Sequence, residues 1–148
     1  MGALLFKRLP VPAARARSCL LVWRRLIAES LRDNVHLEAL FLSGNPFGDV
    51  GIAALARAFV SRKTGRNSAL RKVYLVSTSM TDAGAALLQH ALEQPHAPAL
   101  DTLALGRNPG LSVPARRALE AVVARRSPVY SMPADDSLAT GIFYRMKE

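Results

Sequence analysis

Apolar residues in this chain follow two alternating rhythms. A short stretch with apolar positions two apart is followed, past a turn, by one with apolar positions four apart, and the pair occurs three times. The first stretch, Leu37-Glu38-Ala39-Leu40-Phe41-Leu42-Ser43-Gly44-Asn45, has the form LxxLxLxxN, and Leu70–Thr78 and Leu100–Asn108 follow it. The leading leucines, Leu37, Leu70 and Leu100, are 33 and 30 residues apart. Counting each leading leucine as position 0, positions 3 and 5 hold Leu40 and Leu42, Val73 and Leu75, Leu103 and Leu105. A spacing of two is the strand period, so each pair points to one face of a strand. Position 12 holds Asp49, Asp82 and Ser112, residue types that cap helix amino termini. Position 14 holds Gly51, Gly84 and Pro114. Positions 18 and 22 hold Leu55 and Phe59, Leu88 and Leu92, Ala118 and Val122, each pair one helical face. Every unit therefore predicts strand, tight turn, capped helix and return.

One short strand and one helix cannot bury their apolar faces alone. Stacked copies can, with parallel strands pairing side by side and helices packing side by side. Asn45 and Asn108, at position 8, suit the turn leaving the strand, where a side-chain amide bonds backbone groups left unpaired by the bend. Thr78 holds this place in the middle unit, and its single hydroxyl predicts a looser turn there.

The flanks are less regular. Residues 1–16, with Pro10, Pro12 and scattered basic side chains, read as an irregular amino-terminal segment. Residues 17–34 place Leu20, Trp23, Leu26 or Ile27, and Leu31 on one stripe, predicting a helix that is either a cap or the helix of a degenerate preceding repeat. The three units span residues 35–126. Between the first two lies the polar stretch Ser61–Ser68, read as an exposed, solvated loop. The prolines of Gln94–Ala99 stiffen the shorter return. Within residues 127–148, Ser127–Met132 suits an edge strand guarded by Pro128 and Pro133, followed by a partly ordered tail.

These units resemble the leucine-rich repeat family, in the ribonuclease-inhibitor form LxxLxLxxNxxxxxGxxxLxxxL. Leu37–Phe59 matches closely, Leu70–Leu92 departs at Val73 and Thr78, and Leu100–Val122 departs at Pro114 and Ala118. The resemblance implies an α/β solenoid, a short horseshoe arc with parallel strands on the concave side and helices on the convex side. It also implies that partners dock on the concave face or its rim. Three units are near the minimum for a stable stack, which suits a short array, a fragment of a longer repeat protein, or a chain that stacks against another.

On the strand pattern, positions 2, 4 and 6 face away from the core. Phe41 and Tyr74 then become lateral neighbours, with Lys72 and Val76 beside them, Thr102 on the third strand and Arg107 at the rim. These six are the candidate partner-binding residues, an amphipathic patch on a rigid sheet. No catalytic arrangement is found. His36, His90 and His96 lack metal-ligand spacing, no nucleophile has a spaced His–acid partner, and no phosphate loop is present. No cofactor or metal is expected, and the expected activity is non-catalytic protein binding.

Charge adds alternatives. The chain carries 20 Lys and Arg against 11 Asp and Glu, a formal +9. Its basic pairs are dispersed, which disfavours nucleic acid but leaves a basic nucleic-acid-binding or organelle-assembly factor as an alternative. A second alternative, suggested by family resemblance, is a GTPase-activating or innate-immune-receptor-like regulatory fragment. The outward strand positions lack the charged ridge that GTPase activation would require. Cys19 is the single cysteine, so no internal disulfide forms and a reducing, cytoplasmic setting is expected. The arginine-bearing start without an acid before Glu29 keeps a mitochondrial or plastid location as the alternative. No apolar run is long enough to span a membrane.

Overall fold

The structure, a computed structural model, describes the backbone of residues 2–5 and, with side chains, residues 31, 36–60 and 69–127. The strands are β1 (Gly2–Leu5), β2 (Leu37–Phe41), β3 (Lys72–Tyr74) and β4 (Thr102–Ala104), and the helices are α1 (Gly48–Val60), α2 (Asp82–Glu93) and α3 (Val113–Arg126). The chain is a small α/β fold with a parallel sheet in the order β1-β2-β3-β4. α1 packs against α2, and α2 against α3.

The sheet has the register expected from the spacing. Ala39, Lys72 and Thr102 lie in line across it, as do Leu40, Val73 and Leu103, and Phe41, Tyr74 and Ala104. Residues at positions 0, 3 and 5 of all three units are buried, each at 3% exposure or less. They join Leu55, Phe59, Leu88, Leu92, Val122 and Leu119 in one core, so the described helices cover the Leu40–Val73–Leu103 side of the sheet. Small buried residues let the helices approach closely: Ala54, Ala56 and Ala58 in α1, Ala85 and Ala91 in α2.

Several expectations are corrected. Gly2–Leu5, inside the segment read as irregular, form β1 and pair with β2 through a register shift between Gly2 and Ala3. Without an LxxLxLxxN pattern to mark it, this strand was not legible. Ala118 is exposed, and Leu119, Val122 and Val123 supply the buried face of α3. Val122, at position 22, is buried as expected, and Leu119 takes the inward place expected of Ala118. Pro114 sits in the first turn of α3, where its missing N–H breaks no helical bond.

The capping assignment changes too. Ser112 caps α3, accepting from the Ala115 N–H, but Thr81 caps α2, accepting from the Ala83 N–H. Asp49 and Asp82 reach sideways instead. The Thr81 N–H and hydroxyl donate to the Asp49 carboxylate at 2.8 and 2.6 Å, and the Ser112 N–H donates to Asp82 Oδ1 at 2.6 Å. Each aspartate thus holds the start of the following unit's helix.

The turn at Thr78 is held, not loose. Thr78 is fully buried, and Asn108 Oδ1 accepts from its N–H at 2.9 Å and from the Met80 N–H at 3.2 Å. Its hydroxyl proton can serve either the Leu75 carbonyl at 3.0 Å or Asn108 Oδ1 at 3.2 Å. Asn108 Nδ2 donates to the carbonyls of Leu75, Leu105 and Gly106. The neighbouring unit's asparagine thus supplies what the threonine lacks. The return before β4 is pinned by Arg126, whose guanidinium donates to the carbonyls of Gln94 and Ala97 at 2.7 and 2.9 Å.

The expected helix over 17–34 apart from Leu31 (helical and buried), Cys19, Trp23, the loop 61–68 and the tail 128–148 lie outside the described residues.

Candidate functional site

The face opposite the main core is built by strand alternation. Positions 2 and 4 point away from Leu40, Val73 and Leu103, and parallel pairing brings them into rows. In the row at position 4, the Phe41 and Tyr74 rings stack with centroids 4.6 Å apart and planes within 5°. Both are half-buried, so the pair covers itself on its inner faces and leaves the remainder to solvent. Across β3, Tyr74 packs on Val76 and Ala104, giving a second, smaller apolar cluster on this side of the sheet. Burial of the Tyr74 side chain disfavours its charged form and pushes the phenol above the ordinary tyrosine value.

The other sequence-predicted residues fall around this cluster. Lys72 is exposed, in line with Ala39 and with half-buried Thr102. Val76 is 7% exposed, so it underpins Tyr74 and presents little surface of its own. Position 6 as a whole belongs to the turn. The Val76 N–H donates to buried Ser43 Oγ at 3.1 Å, and the Val76 carbonyl accepts from the Gly44 N–H. The expected open array of positions 2, 4 and 6 is therefore limited to position 2 and to Phe41 and Tyr74 at position 4, since Ala104 is buried and position 6 belongs to the turn.

Arg107 is exposed just beyond the turn that follows β4, beside Ser77 of the middle unit, whose N–H donates to the Gly106 carbonyl. Gly44, Ser77 and Arg107 all occupy position 7, and all have left-handed backbones with φ of 77°, 54° and 52°. This shared conformation aims the chain out of the strand and fixes where the Arg107 side chain leaves it. Reasoning from the sequence missed Ala104 as a contributor, because an alanine at an outward position carries no binding signal. Its alignment with Phe41 and Tyr74 was nevertheless derivable from the spacing.

Among the described residues, no group of three or more His, Cys, Asp or Glu is gathered closely enough to hold a metal ion. No described helix is long and apolar enough to cross a membrane. Comparison of the chain with protein-family models and with curated proteins finds no match.

Proposed function

We propose that this chain is a short leucine-rich-repeat solenoid acting as a non-catalytic protein-interaction module. It presents the sheet face around Phe41 and Tyr74 to a protein partner. The observation that carries this reading is the stacked, half-exposed aromatic pair on the sheet face opposite the main core. An aromatic pair locked by stacking has little rotamer freedom left to lose, which lowers the ordering cost of association. Support for the solenoid comes from the sequential order of the parallel strands, the shared register and the sideways bonds from Asp49 and Asp82. A strand ahead of the buried, helical Leu31 suits the alternative in which a degenerate unit precedes the three.

The test is site-specific photo-crosslinking. A photoreactive residue replaces Lys72 or Thr102 on the sheet face, or Ala86 on the exposed side of α2 as the control. Adducts with proteins of the native host should form at Lys72 and Thr102, not at Ala86, and should fall when Tyr74 is also changed to Ala. Equal labelling at all three positions, or labelling from the helix alone, would remove the sheet face from the account.

A further inference from the structure

We infer that the partner segment is an extended acidic peptide carrying an apolar or aromatic residue between two acids. This rests on the reading that the sheet face binds protein. Along that face and the turn that continues it, positions 2, 4, 6 and 7 hold Ala39, Phe41, Ser43 and Gly44; Lys72, Tyr74, Val76 and Ser77; Thr102, Ala104, Gly106 and Arg107, of which Ser43, Val76, Ala104 and Gly106 are buried. Not one is acidic, and the two charges are both cationic and exposed: Lys72 and Arg107. Glu38 and Asp101 lie at position 1, and Asp101 accepts a hydrogen bond from Ser127.

Spacing sharpens the chemistry. Lys72 stands at the start of β3, and Arg107 follows the far end of β4, five positions further along the unit. At about 3.3 Å per residue, that separation is at most about 17 Å, and the left-handed turn before Arg107 shortens it, with Tyr74, Val76 and Ala104 between. An extended peptide covers it in about four or five residues. Acids about that far apart can reach both cations while a side chain between them lies on Tyr74, whose other side is covered by Phe41. A single strand of nucleic acid fits less well. Its bases could stack on the aromatic pair, but it repeats its charge at every nucleotide and calls for a tracking row of cations, and the described positions supply two, Lys72 and Arg107.

The test uses synthetic polymers and the full chain. Random poly(Glu,Tyr), poly(Glu), poly(Lys,Tyr) and oligo-dT are titrated by fluorescence anisotropy. Poly(Glu,Tyr) should bind best, and its binding should weaken as salt is raised. Lys72→Glu and Arg107→Glu should each weaken it by about two- to fivefold, within the range for exposed ion pairs. Arg117→Glu, an exposed position on α3, makes the same change in net charge and should leave binding unchanged. Tyr74→Ala should erase the preference for poly(Glu,Tyr) over poly(Glu). Circular dichroism checks that each variant is folded. Equal weakening by Arg117→Glu would reduce the effect to overall charge and overturn the inference. So would tighter binding of oligo-dT or of poly(Lys,Tyr). If the polymers fail while crosslinking from Lys72 and Thr102 persists, the acidic peptide falls and the binding face stands. If crosslinking fails as well, both fall.

Discussion

Asn108 is bonded to two successive units at once, so its loss should cost more than that of an ordinary polar side chain. Its amide serves three carbonyls and accepts from the backbone of Thr78 and Met80, all in a buried turn. Asn108→Ala leaves several of these groups without partners, and an unmet buried group costs about 1–3 kcal/mol. The expected loss is about 3 kcal/mol, measured by urea denaturation. Ser77 works in the opposite direction. Its φ of 54° is strained for a residue with a Cβ and free for glycine, the residue already found at the equivalent Gly44. Ser77→Gly should therefore raise stability, by up to about 1 kcal/mol. Tyr74 adds a pH dependence. Its folded phenol titrates above the unfolded value of about 10, so its contribution is fully present below that pH and is lost as pH rises through and beyond it. The stability of the parent chain relative to Tyr74→Phe should be constant to about pH 9 and fall above about pH 10, read from urea midpoints in buffers across that range.

At the scale of the element, the amino terminus of α2 shows why glycine recurs at position 14. A Cβ on Gly84 would lie 2.3 Å from Asp49 Oδ1 and 3.1 Å from Met80 Cγ, so the glycine leaves room for the carboxylate that holds Thr81. Gly84→Ala gains helix propensity of about 1 kcal/mol but displaces two charge-assisted bonds worth about 1.5–3 kcal/mol each. A net loss of about 2 kcal/mol is expected in thermal or urea unfolding. In an Asp49→Ala background the same change should be neutral or stabilising, because of the groups named only the flexible Met80 side chain then borders the space. Strand positions were legible from the chain because a period of two is short and anchored by leucines. The first two helices followed for the same reason, their large apolar residues recurring at positions 18 and 22. The third was misread at position 18 alone: Ala118 is too small to mark the buried face, which the larger Leu119 and Val123 supply with the expected Val122. The sideways reach of Asp49 and Asp82 was hidden for another reason: an aspartate near a helix start reads as its own cap, and only the neighbouring unit reveals its partner.

Across the whole molecule, the core is continuous from Leu37 through Leu105 to Val123, with no described layer that separates one unit from the next. Leu75, fully buried in the middle strand region, contacts this core from the centre, and Leu75→Ala should cost about 2–5 kcal/mol. The loss should appear as one transition, with helix signal by circular dichroism and the chain's tryptophan and tyrosine fluorescence moving together. A split transition would show that the units melt separately. The candidate face was legible to the extent that it depended on register. Phe41 and Tyr74 were placed side by side by counting alone. That they stack, and that Val76 is covered, depended on side-chain packing and on where each strand gives way to its turn. Counting carries neither.

The aspartate bonds also give the array a direction. Asp49 hands support to the second helix and Asp82 to the third, but the equivalent position in the third unit is Ser112, which is spent on capping its own helix. The relay therefore stops there: a further unit stacked on α3 would receive no carboxylate from behind. Extending this protein by design would first require that missing link to be written into the third turn.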